Sequence, residues 1–171
     1  MVKVPVEKPD LTLQFFQNLT GEENPVLTIN VFPEKHGCMV RPDIFHGHYD
    51  EVMQKAKRLN DQGACVAHCI NKTDLKGRSS EHITEVRTLV VDIDTVPLND
   101  GLTALGDIGI EPHAIVETSP GRFHLYIFVE TNFPKKVFKA IQKRLNRLTG
   151  GDPNVCDITR VLRTPGSLTP A

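Results

Sequence analysis

The stretch Thr88-Leu89-Val90-Val91-Asp92-Ile93-Asp94 constrains the fold more than any other part of this 171-residue chain. A β-branched apolar run of this kind favours a strand, and it ends in two carboxylates two positions apart. A strand's side-chain period of two places Asp92 and Asp94 on one face. Carboxylates held that close repel each other, and a divalent cation with oxygen ligands relieves the repulsion. The plain alternative is a strand end whose acids turn into solvent, so other segments must decide between the two.

Composition narrows the partners. Charged residues make up 24% and the hydrophobic set 39%, an ordinary globular balance in a chain long enough for one domain with a core. The formal net charge is -1. No global basic field draws in nucleic acid, so such a partner must be sought in local patches. No apolar run reaches membrane-spanning length, and the first residues lack a signal-peptide core, which makes a cytoplasmic protein the expectation. Cys38, Cys65, Cys69 and Cys156 form no CxxC pair. Cys65 to Ile70 reads as a buried strand, so buried reduced thiols are expected here and not zinc.

Asp10 is placed to cap a helix with Leu11, Phe15 and Leu19 on one face. Residues 26–32 read as a strand, 34–37 as a turn, 49–62 as a helix ended by Gly63, and 64–70 as a strand. His46-Gly47-His48 beside Pro42 suggests a turn, and residues 71–80 a polar loop. Beyond Asp94, Asn99-Asp100-Gly101 reads as a break. Residues 113–118 and 123–130 form a hairpin about Ser119-Pro120-Gly121-Arg122. Pro134 opens a helix that stops at Gly150-Gly151, with Val137, Ile141, Leu145 and Leu148 as its core stripe. Its other faces carry Lys135, Lys136, Lys139, Lys143, Arg144 and Arg147 without an acid. Such a face is one candidate for neutralising the phosphates of a nucleic-acid strand, although a charge run like this is ordinarily a solvated face. This order of elements favours an α+β fold with largely antiparallel sheet.

Three segments could converge on one chemistry. Asp92 and Asp94 are the first. In the hairpin, His124 shares a strand face with Tyr126 and Phe128, just past the turn bearing Ser119 and Arg122. A histidine there is ordinarily a half-exposed strand residue. The third is Val155-Cys156-Asp157, followed by Arg160 and Arg163; its plain reading is an acid paired to Arg160. Together these residues would make a cation-dependent polyphosphate site. Three carboxylates would hold one or two Mg²⁺ or Mn²⁺ ions, and the arginines would grip phosphate oxygens. Such a site suits nucleotidyl transfer.

Those motifs resemble the catalytic domain of archaeo-eukaryotic primases, above all the primase-polymerases of plasmids and phages of the RepB type. The ordered matches are Val90-Val91-Asp92-Ile93-Asp94, Ser119-Pro120-Gly121-Arg122-Phe123-His124, Val155-Cys156-Asp157 and the extension from Arg160 to Ser167. They span residues 63–167. The spacing between Ser119 and His124 is wider than the family's usual SxH. The resemblance implies Asp92, Asp94 and Asp157 as catalytic metal ligands for two Mg²⁺ or Mn²⁺ ions. It implies His124 at the triphosphate of an incoming NTP or dNTP, with Ser119, Arg122, Arg160 and Arg163 as further nucleotide contacts. It implies an RRM-like antiparallel sheet with helices (residues 71–171) joined to an N-terminal αβ module (residues 1–70), as one domain cut from a longer protein. The partners would be a single-stranded DNA template and a primer or initiating nucleotide. Lys72, Lys76 and Arg78 are candidate DNA contacts. With no GxxxxGK[ST] present, any ATP-driven helicase would lie in a further segment or a separate chain.

Other classes compete. Asp92-Ile93-Asp94-Thr95-Val96 and Gly151-Asp152 to Asp157 also fit a haloacid-dehalogenase-like phosphatase, but half the chain precedes Asp92, and His124, Arg160 and Arg163 would go unused. A rolling-circle endonuclease would need His46 and His48 on a strand and a tyrosine on a later helix. A non-catalytic single-stranded DNA binder with an RRM-like sheet needs exposed aromatics, and there is no tryptophan.

Overall fold

A computed structural model describes residues 10–34 and 38–167. Apart from Glu34, the expected turn at 34–37 lies outside the described residues. Helix α1 (Leu11–Thr20) begins where the Asp10 carboxylate accepts the Thr12 and Leu13 backbone N–H groups at 3.0 and 3.1 Å. It buries Phe15, Phe16 and Leu19, while Leu11 stays exposed. The first sheet has the order β2-β1-β3-β9, built from β1 (Val26–Pro33), β2 (Asp43–His48), β3 (Ala64–Cys69) and β9 (Val161–Arg163), and is antiparallel throughout. Helix α2 (Tyr49–Asp61) packs on its first three strands. All six β3 residues are buried, His68 among them.

A short ribbon of β4 (Lys72–Thr73) and β5 (Ile83–Glu85) follows, in place of the expected uninterrupted loop. The second sheet, of order β6-β8-β7, contains β6 (Thr88–Ile93), β7 (Ala114–Ser119) and β8 (Arg122–Phe128). Helices α3 (Leu98–Gly106) and α4 (Lys135–Thr149) pack together, and α4 covers β6. The order β6-α3-β7-β8-α4-β9 is that of an RRM-like unit, yet its last strand pairs with β3. The chain therefore does not part at residue 70 into two contiguous halves; β9 binds the end of the chain to the first sheet.

Three local expectations need correction. His46-Gly47-His48 is strand, not turn: β2 pairs with β1 along its length, from Val26 opposite His48 to Val31 opposite Asp43. Asn99-Asp100-Gly101 lies inside α3. Gly101 fits there because a Cβ would come within 2.8 Å of the Ile93 side chain, so helix and strand approach closely. On α4 the buried residues are Phe138, Gln142, Leu145, Asn146 and Thr149, whereas Ile141 and Leu148 are exposed. The core face is rotated because two polar side chains have buried work. Gln142 accepts the Val90 N–H at 3.0 Å and donates to the Val90 carbonyl, closing the free edge of β6. Asn146 donates to the carbonyls of Asp152 and Val155 at 2.7 and 2.9 Å.

Candidate active site

The β6–β8 register sets Asp92 opposite His124. Their side chains meet, with His124 Nε2 3.6 Å from Asp92 Oδ1. His124 is buried, not half-exposed. Next along the two strands, Arg122 Nε lies 3.9 Å from Asp94 Oδ1, and both side chains are open to solvent. Burial raises the Asp92 carboxyl to about 6, with the carboxylates of Asp94 and Asp152 adding to the rise and Arg160 and Arg122 opposing it. Burial, and then Arg163, lowers His124 to about 4, so at neutral pH it is an uncharged imidazole. The Asp92–His124 contact is thus a polar pairing with one charge, not an ion pair.

Beside this pair opens a cleft of about 390 Å³, lined among others by Asp94, Ser119, Arg122, His124, Glu34 and Arg163. Ser119, at the end of β7, stands opposite Arg122. Arg163 on β9 makes a bidentate pair with Glu34, at 2.5 and 3.2 Å. Arg160 donates to the Asn154 carbonyl and lies 3.9 Å from Asp157. A second cleft of about 360 Å³, between α2, the start of α1 and the Pro165–Ser167 turn, contains none of these groups.

Of the expected residues, Asp92, Asp157, Arg160, Lys72, Lys76 and Arg78 do not line the cleft. The Asp157 carboxylate is 58% exposed and lies 3.9 Å from Arg160. Asp152 acts on Asp92 through its carboxylate. Its N–H donates to the Asp92 carbonyl at 3.0 Å, and Gly151 permits that approach because a Cβ would come within 2.8 Å of Val91 and 3.2 Å of the Asp92 carbonyl. Glycine pairs followed by an acid at a helix end were the available signal for Asp152. Lys72 lies 4.0 Å from Glu22 and 3.9 Å from Glu85, Arg78 donates to the Thr159 carbonyl at 3.2 Å, and Lys76 is exposed on the following loop. His46 is bonded to Thr28, and the buried Tyr49 hydroxyl donates to Asp10, so no endonuclease tyrosine is presented.

Among the described residues, no three His, Cys, Asp or Glu side chains form a closed cation site. The donor set nonetheless suits Mg²⁺ or Mn²⁺. A half-buried carboxylate beside two like charges favours a cation, and Mg²⁺ is commonly held by one or two carboxylates plus substrate phosphates.

This arrangement coincides with a family. Residues 46–168, well over half of the chain, match the RepB DNA-primase N-terminal domain. The chain belongs to that family. It is a RepB-type member of the archaeo-eukaryotic primase superfamily, and a DNA primase domain of nucleotidyltransferase type. The phosphatase reading falls with this assignment. Among solved structures, the cyanophage S-2L primase-polymerase AEP domain aligns over 95% of this chain and 86% of its own, with TM-score 0.73 and 17% identity. The catalytic domain of primase RepB′, solved with initiator DNA, aligns over 94% and 77% with TM-score 0.67 and 22% identity. A second RepB′ structure aligns over 90% of this chain and 48% of its own at TM-score 0.64 and 22% identity. These likenesses show the primase fold. No curated protein matches the chain.

Proposed function

We propose that this primase domain is a template-directed primase-polymerase. It would transfer nucleotidyl groups from nucleoside triphosphates to a 3′-hydroxyl on a single-stranded DNA template. One observation carries the reading: His124, Asp94 and Arg122 line a cleft large enough for a nucleotide, and the β6–β8 register sets Asp92 against His124 behind it. Asp92 and Asp94 are the proposed metal ligands. Asp152 is proposed as the third acid, a role better supported for it than for Asp157. Bound Mg²⁺ or Mn²⁺ would neutralise triphosphate charge and favour attack by the hydroxyl.

The chain's own groups divide the remaining work. Arg122 is exposed and held only by a long contact to Asp94, so it can turn to a phosphate oxygen. Arg163 enters the same cleft, and taking a phosphate would require Glu34 to release one or both of its hydrogen bonds. Neutral His124 can donate one N–H without adding charge. Ser119 offers a hydroxyl at the turn. A cytoplasmic setting in plasmid- or phage-type replication fits this activity. The test is incubation with single-stranded DNA, labelled nucleotides and Mn²⁺, with and without a primer. Metal-dependent incorporation that is lost in a folded Asp92→Asn/Asp94→Asn variant is the expected result; full activity in that variant rejects the site.

A further inference from the structure

Helix α4 is amphipathic in an unusual sense. Its buried residues Phe138, Gln142, Leu145 and Thr149 share one face. Lys136, Lys139, Lys143 and Arg147 recur at three- and four-residue spacing on the far side, with Arg144 flanking them. Among the described residues, none of these five cations has a carboxylate within ion-pair distance. Like charges at such spacing cost a few tenths of a kcal/mol per pair in a helix. Only Arg147, in the last turn, gains from the helix dipole, and a chain of net charge -1 has no general excess of cations to place.

The helix is also tied to the site. Its last turn leads through Gly150-Gly151 to Asp152, whose N–H is bonded to Asp92, and Asn146 holds the Asp152 carbonyl. At ~1.5 Å per residue, Lys136 to Arg147 spans ~16 Å, comparable to about five nucleotides of a stacked strand at ~3.4 Å each. We infer that the outer face of α4 is a track for the sugar–phosphate backbone of the DNA template, anchored at the end nearest the catalytic acids. The inference rests on the function proposed above for its choice of polyanion.

The experiment compares the unaltered chain with K136Q/K139Q/K143Q, since glutamine keeps helix propensity. Binding of a labelled single-stranded oligonucleotide is followed by anisotropy from low to moderate salt. The expected result is about tenfold weaker binding at low salt and a log–log salt slope lowered by about 2, from three lost phosphate contacts at ~0.7 each. Half-saturation of incorporation by template should shift about tenfold upward, and thermal stability should stay level or rise slightly as like-charge repulsion is removed. An unaltered affinity and slope overturn the inference. So does competition by poly-glutamate as effective as that by unlabelled oligonucleotide, which would mark the face as a site for an acidic protein. The Asp92→Asn variant keeps the two claims apart. It should bind DNA with the normal slope while incorporating nothing, so a fault in the catalytic reading appears in incorporation and a fault in the track appears in binding.

Discussion

The two sheets hold their site residues in different ways. In the second, Asp92 and His124 are cross-strand partners on hydrogen-bonded strands, and Gln142 closes the β6 edge behind them. In the first, Arg163 sits on a three-residue strand, held by a carboxylate 129 positions away in the chain. Asp92 is thus fixed by sheet register, which cannot shift without turning every side chain to the other face. The arginine is fixed by an ion pair, which a competing anion can displace. One wall of the cleft is preorganised and the other adjustable.

The sharpest way to break this contrast is at Asp92. Asp92→Asn should lower incorporation by about three decades or more, roughly 4 kcal/mol of transition-state stabilisation. It should not destabilise the fold, because it removes a buried carboxylate repelled by two neighbours. A variant that melts well below the unaltered chain would show that the acid is structural. Next in size, Asp152→Asn should cost about a hundredfold in activity, roughly 2.7 kcal/mol, while Asp157→Asn should leave activity within a few-fold. The reverse ranking, read from steady-state incorporation, would restore Asp157 as the third acid.

That pair of acids shows where legibility ended. Strand period alone places Asp92 and Asp94 together, and alternation places His124 on its strand; their proposed roles rest on the family resemblance. Asp157 is the acid that the family resemblance implies. What brings Asp152 to Asp92 is a close backbone approach of Gly151 to β6, a tertiary contact with no periodic signature. The α4 core face departs from the hydrophobic pattern for a related reason. Hydrophobicity pointed to Ile141 and Leu148, but the β6 edge and the Asp152 loop needed hydrogen-bond partners, and Gln142 and Asn146 turned inward to supply them. The strand β9 and its union with β3 depend on contacts nearly a hundred residues apart, beyond any local pattern.

Gln142 allows the preorganised wall to be loosened without touching its acids. Gln142→Leu would leave the buried N–H and carbonyl of Val90 without partners and should cost about 2–3 kcal/mol. Denaturant unfolding would measure the loss, and a cost near zero would mean that water or a neighbour serves the β6 edge equally well. His68 offers a pH-dependent test between the sheets. It is fully buried against Phe15, Phe16 and Tyr126, and burial lowers it to about 3. Its unfolded value is about 6.5, so below that pH the unfolded chain takes up a proton that the folded chain refuses. Its contribution is complete above about pH 6.5 and is lost as pH falls toward 3, at ~1.4 kcal/mol per pH unit at most. Asp92, raised to about 6, works oppositely between about 4 and 6, so only the difference between the unaltered chain and His68→Leu is diagnostic. Identical pH slopes in the two would reject the buried neutral histidine.

The smallest effect belongs to the adjustable wall. Glu34 and Arg163 are partly exposed, and such a pair contributes about 1 kcal/mol or less to stability. Its consequence should appear in substrate binding. Arg163→Ala removes a phosphate donor and should raise the nucleotide KM about tenfold, roughly 1.4 kcal/mol. Glu34→Gln removes a carboxylate that competes for the same guanidinium, so it should lower KM about threefold, about 0.7 kcal/mol, with kcat unchanged. In the double variant the Glu34 substitution should confer less than it does alone, because the arginine it would release is gone. A rise in KM on Glu34→Gln would mean that the carboxylate positions Arg163 for the triphosphate and does not withhold it, making both walls of the cleft preorganised.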